Sequence, residues 1–106
     1  MRICDCHAHV GHFDDPMSGR HVTYSPEVLL SEMDAAGVDL AVVSNISAIE
    51  DPEKANDEMA VWARRYPRLV PLVWATPGIS LPEKVLDYMG AGFRGVKLHP
   101  TAGKYR

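Results

Sequence analysis

Strand-like and helix-like signals alternate along the whole of this chain, and that alternation constrains its fold more than any other feature. "SPEVLLSEMDAAGV" offers Ser25 as N-cap and Pro26 at the first helical position, with Leu29, Leu30, Met33 and Ala36 on one face and Gly37 as the stop. "DLAVVSNI", residues 39–46, is apolar on both faces, as a parallel strand covered on both sides would be. "DPEKANDEMAVWARRYP" repeats the start signal with Asp51 and Pro52 and sets Ala55, Met59, Trp62 and Tyr66 at helical spacing before Pro67. "RLVPLVWA", residues 68–75, reads as the next strand, with Pro71 removing one ladder donor. "SLPEKVLDYMGAG" is a third helix, with Ser80 and Glu83 at capping-box spacing and Gly90 or Gly92 closing it. "FRGVKLHP", residues 93–100, is the last strand. The first strand spans Arg2 to His9, and the "GHFDDPMSGRHVTY" that follows is read as a loop.

The resulting order, β-α-β-α-β-α-β with short connections, predicts right-handed crossovers and a parallel α/β sheet. A chain of 106 residues suffices for one domain with a real core. It falls well short of the roughly 250 residues of a complete (β/α)8 barrel. "TAGKYR" stops where another helix is due, so the chain reads as a fragment of a longer protein.

Composition narrows the partners. A formal net charge of -3 without a basic stripe argues against nucleic acid. The absence of a signal-type leader or a bilayer-length apolar run argues against a membrane, and the expected location is the cytoplasm. Cys4 and Cys6 are too close on one strand for an ordinary disulfide, which argues against a secreted scaffold.

The chemistry concentrates in "CDCHAHVG", residues 4–11. Strand alternation puts Ile3, Asp5, His7 and His9 on one face and Cys4, Cys6 and Ala8 on the other. Small apolar groups suit the face under the helices, so the polar set is expected on the inner face. Two imidazoles on one strand face can grip a divalent ion, and Asp5, one step deeper, can orient a ligand histidine. A bland pair of histidines is the alternative. On the last strand, Val96 and Leu98 are expected under the helices, which sends Lys97 and His99 to the inner face. Lys97 can meet a substrate carboxylate, bridge metals after carboxylation, or form an ion pair with Asp5. His99 can be a ligand, a substrate contact or a wall residue.

Weaker candidates complete the survey. His12, Asp14 and Asp15 read as a solvated loop, and His21 has no context. Cys6, Trp62, Tyr66, Trp74 and the methionines read as packing, and Glu53, Asp57 and Glu58 as a wet helix face.

These segments in order resemble the amidohydrolase superfamily, in particular its amidohydrolase-related branch of metal-dependent hydrolases and aminocarboxymuconate-semialdehyde decarboxylase-type enzymes. "DCHAHVG" is similar to that family's Asp-x-His-x-His opening, and "AAGVDLAVVS", "ANDEMAVWARRYPRLVPLVWATP" and "GFRGVKLHP" extend the likeness along the chain. The resemblance implies a (β/α)8 barrel of which this chain is the first (β/α)4 half. It implies His7 and His9 as ligands of a divalent metal, zinc foremost, acting on a small-molecule substrate. Lys97 is similar in placement to a lysine that some members carboxylate. The family draws further histidine ligands and a catalytic aspartate from later strands, which this sequence does not include. A half-barrel should leave its inner face open and self-associate through it. The alternatives are a decarboxylase on the same metal site, a catalytically inert assembly domain, and a polymerase-and-histidinol-phosphatase type of phosphoesterase, which also opens with His-x-His.

Overall fold

The computed structural model describes residues 1–105. The chain folds as β1 (Cys4–Asp14), β2 (His21–Tyr24), α1 (Pro26–Ala36), β3 (Leu40–Asn45), a 3-10 turn (Ile46–Ile49), α2 (Pro52–Arg65), β4 (Leu69–Trp74), α3 (Pro82–Gly90), β5 (Gly95–Lys97) and α4 (Pro100–Gly103). One sheet of five strands runs in the order β2-β1-β3-β4-β5. The four strands after β2 in that order are parallel, and strands and helices alternate as expected.

The region read as a loop after His9 is the main correction to the architecture. β1 continues to Asp14, and β2 folds back on it antiparallel, with His12 opposite Thr23 and Asp14 opposite His21. The turn between them is held by Asp15, whose carboxylate accepts from the Met17 amide at 2.9 Å and whose carbonyl accepts from Gly19 N at 2.8 Å. Turn-forming residues at its centre masked the strand-forming "HVTY" on its far side.

The first two helices start where their caps predict. Ser25 Oγ accepts from Val28 N at 3.2 Å, Asp51 Oδ1 accepts from Lys54 N at 3.2 Å, and Gly37 ends α1 in the left-handed region at φ 71°. α3 departs from its predicted cap. Its N-cap is Leu81, which makes no side-chain cap bond, because Ser80 Oγ accepts instead from Thr76 N at 2.8 Å. Gly92, at φ 110°, is the residue that turns the chain out of α3.

Pro71 sits within β4 without breaking the sheet. Its carbonyl accepts from Arg94 N at 2.9 Å on the β5 side, just before β5 begins at Gly95, so its missing donor faces a stretch with no strand to receive it.

The core lies between one face of the sheet and α1 and α2. Val10, Ala41, Val43, Leu69 and Val73 meet Leu29, Met33 and Met59, and Phe93 closes the end near α3. α3 buries no residue fully and contributes Val85 and Tyr88 as half-buried contacts. Two expectations of burial fail. Val96 and Leu98 are 45% and 52% exposed, because no helix covers that side of β5. Of the methionines, Met33 and Met59 are core, whereas Met1, Met17 and Met89 are exposed. Among the described residues, no helix is long and apolar enough to cross a membrane.

Candidate metal centre

The site begins with a break in the register of β1. Asp5 stands opposite Ala41, but Ala8 stands opposite Val43, so β1 advances three residues while β3 advances two. That is a bulge, and it reverses the alternation of side chains across it. Register partners share a face, so Asp5 lies on the side of Ala41 and Val43, while His9, opposite Ser44, lies on the other. The expectation that Asp5 and His9 share a face is therefore corrected. Cys6, expected to pack, is exposed, as is Cys4, and both are free thiols.

The bulge is where Asp5 acts. Its Oδ1 accepts from the His7 backbone amide at 3.0 Å, supplying a partner to an N–H within the irregular stretch. Asp5 thus positions His7 through the main chain rather than through the imidazole.

His7 and His9 do come together. Their ring centroids are 4.8 Å apart at an interplanar angle of 70°. His7 is exposed, whereas His9 is half-buried, and its Nε2 is buried without a hydrogen-bond partner. Burial is the largest cause that holds the His9 imidazole below its ordinary pKa, and the neighbouring His7, Lys97 and His99 act in the same direction. A neutral imidazole with a free, buried nitrogen is the form in which histidine ligates a metal.

Lys97 reaches the same place from β5. Register sets it beside Trp74, and its Nζ lies 3.2 Å from His7 Nε2, across 90 positions of sequence. The ion pair with Asp5 does not form, and among the described residues Lys97 has no carboxylate partner. His99 follows two residues later, just past β5. Its Nδ1 accepts from Ala102 N at 3.2 Å, capping α4, and its ring stacks on Trp74 at 5.7 Å and 15°.

Trp74 and Asn56 are the residues that sequence reasoning missed here. Trp74 is buried as expected, yet it is also the platform for His99. Asn56, buried on α2, accepts from Trp74 N at 2.8 Å and donates to Trp74 O at 2.9 Å, fixing the end of β4. A polar residue on the inward stripe of α2, in line with Met59, was the signal available for it.

The weaker candidates gather on the hairpin instead. His21 Nδ1 pairs with Asp14 Oδ1 at 2.8 Å, and the His12 ring lies 5.6 Å from that of His21. His12 N donates to Ser47 Oγ at 2.9 Å, tying β1 to the 3-10 turn, so this stretch is ordered pairing rather than solvated loop. Glu53 and Asp57 are exposed as expected but reach across to α3, to Lys84 Nζ at 3.1 Å and Tyr88 Oη at 2.7 Å respectively.

The donor set fits part of a metal site. His9 Nε2 has no other partner, and His7 Nε2 already faces a cation, the Lys97 ammonium. Among the described residues, no three of His, Cys, Asp and Glu converge to complete a coordination shell. Two ligands are present and the rest of a tetrahedral set is not supplied by these residues. No protein-family model matches the sequence, and no curated protein or solved structure matches it significantly.

Proposed function

We propose that this chain is the N-terminal half of a metal-dependent hydrolase of the amidohydrolase type, with His7 and His9 holding a divalent metal, zinc foremost. The observation that carries this reading is the His7–His9 pair, with the buried, unpartnered Nε2 of His9 beside it. Two features of the fold support it. The parallel strands follow one another in chain order, β1-β3-β4-β5, without the reversal that marks a doubly wound sheet. The buried face of the sheet is packed by α1 and α2, while on the face bearing His9 and Lys97 the contacts among the described residues are those of the 3-10 turn and the short α4 at Trp74, as in one arc of a barrel wall. His9 and Lys97 lie toward the carboxyl ends of the parallel pairing of their strands, where barrel enzymes place their chemistry.

A bound divalent ion supplies an acidified water and a Lewis acid for a carbonyl or similar group of a small-molecule substrate. In this reading His7 and His9 would hold the ion, and Lys97 and His99 would stand beside it where a substrate is met. His7 is set by Asp5 through the bulge, and Lys97 and His99 line the wall beside it. The remaining ligands and the other half of the barrel come from outside these residues, and self-association through the open inner face is one way to bring them. The reading places the protein in the cytoplasm, a setting that keeps Cys4 and Cys6 as free thiols.

Zinc titration of chelator-treated, desalted protein, with elemental analysis after dialysis, tests this reading. Stoichiometric zinc is expected, weakened at least about tenfold by His7→Ala and by His9→Ala. Wild-type protein that retains no zinc, or variants that retain it fully, would overturn the assignment.

A further inference from the structure

We infer that the cavity between α2 and α3 is a binding site for a small, uncharged apolar molecule of one or two rings. The inference is independent of the metal reading, since neither His7 nor His9 lines this cavity. The cavity has a volume of about 310 Å³ and lies beside the carboxyl end of β4, where buried Val73, Trp74 and Asn56 form its inner wall. It exists because α3 stands back from the sheet. That helix buries no residue fully and meets the core through Val85 and Tyr88. Two polar links tie it to α2: Lys84 Nζ lies 3.1 Å from Glu53 Oε1, and Tyr88 Oη donates to Asp57 Oδ1 at 2.7 Å.

The polar side chains on the walls decide the class of ligand, because each is already bonded within the protein. Asn56 meets both main-chain polar groups of Trp74, at 2.8 and 2.9 Å. Ser80 Oγ accepts from Thr76 N at 2.8 Å, and Asp51 Oδ1 accepts from Lys54 N at the start of α2. Glu53 is paired with Lys84, and the Tyr88 hydroxyl with Asp57. The charges are matched in the same way: Lys84 answers Glu53, and the Asp51 carboxylate answers the positive end of the α2 dipole. A charged ligand would have to break one of these pairs to find its own partner, and a polar one would exchange bonds rather than add them.

What the cavity offers beyond those pairs is apolar surface. Val73, Trp74 and Val85 line its interior, and Ile79 and Leu81 stand at its mouth, 70% and 56% exposed. An apolar occupant would take these two side chains out of water and displace water that finds few open hydrogen-bonding groups there. Size fits the same class. An apolar cavity of about 150 Å³ is enough to hold benzene, and ligand pockets run upward from roughly 300 Å³. Trp74 also carries the His99 ring, 5.7 Å away, so an occupant lies one side chain from the candidate metal centre.

Toluene, with benzoate and benzylamine as its charged counterparts, titrated into isotope-labelled protein and read by NMR at the tryptophan indole N–H signals, tests the inference. Trp74 lines the cavity and Trp62 does not. Toluene is expected to shift the Trp74 signal saturably and leave Trp62 in place, and both charged counterparts are expected to bind at least about tenfold more weakly. Val85→Phe, which fills the cavity from α3, and Ile79→Asp, which sets a charge at its mouth on an exposed position, should each weaken toluene binding at least about threefold. No saturable Trp74 response to toluene, an equal response from Trp62, charged counterparts that bind as tightly as toluene, or unchanged toluene binding in folded Val85→Phe or Ile79→Asp would each overturn the inference.

Discussion

Gly11 shows how closely single residues are held around the site. Its φ is +108°, and a Cβ added there would lie 2.0 Å from Asn45 Oδ1 and 2.6 Å from Ser47 Oγ. Asn45 Oδ1 accepts from Ser47 N at 3.0 Å, and Asn45 Nδ2 donates to Ala55 O at 3.0 Å, so the amide that would be displaced joins β3, the 3-10 turn and α2. Gly11→Ala is expected to cost about 2–4 kcal/mol through backbone strain and the broken amide contacts, read as a lower urea midpoint with an unchanged slope. His9 sets a pH dependence. Its folded pKa lies below the ordinary 6.5, so the unfolded chain takes up the proton first as the solution is acidified. The stabilising contribution of neutral His9 is full above about pH 6.5 and is lost as pH falls through the folded value. The melting temperature of metal-free protein should therefore fall between pH 7 and pH 5, and His9→Gln should flatten that part of the curve. A variant that retains the full slope would place its origin in another group.

Among the elements, α2 carries more of the architecture than its amphipathic pattern suggests. It buries Ala55 and Met59 as the helical spacing predicts, but its Asn56 also meets both main-chain polar groups of Trp74. Removing that amide strands a buried N–H and a buried C=O at the end of β4. Asn56→Leu is expected to destabilise the fold by about 2–4 kcal/mol and to loosen the Trp74–His99 stack, visible as a change in the ring-current shifts of His99. Stability within about 0.5 kcal/mol of wild type would show that the two main-chain groups find other partners. α3 is the counterexample. Its sequence has helical spacing and a capping-box pattern, yet Ser80 is diverted to Thr76 and no residue of the helix is fully buried. Its attachments are Val85 and Tyr88 against the core and the polar links from Glu53 and Asp57.

For the whole molecule, α1 and α2 cover one face of the sheet, whereas among the described residues the other face is met by the 3-10 turn and α4 at Trp74 and is otherwise open. Leu40, Val42, Val70 and Leu72 lie half-buried on that face, while Val96, 45% exposed beside core Val73, leaves apolar surface at the β5 edge on the helix side. Apolar surface of this kind, beside an open strand edge, favours association. Light scattering is expected to give a mass above that of an 11.7 kDa monomer, rising with concentration, and Leu72→Lys, on the open face, should reduce it. A monomer at every concentration would show that this face is stable in water as it stands.

The alternation of strands and helices, the parallel sheet and the caps of α1 and α2 were legible in the sequence because each depends on local signals: apolar period, a cap side chain, proline at the first turn. The meeting of His7 with His9 was legible in part, since they are two residues apart on one strand, and so was the inward direction of Lys97. What the sequence by itself determined was therefore the set of elements and the types of side chain they carry. Tertiary structure alone decided the β1 bulge that separates Asp5 from His9, the β2 hairpin, the pairing of Lys97 with His7 and the hold of Asn56 on Trp74. Register and long-range hydrogen bonds depend on which backbone groups remain unpaired once the strands are in place, and no local pattern encodes that.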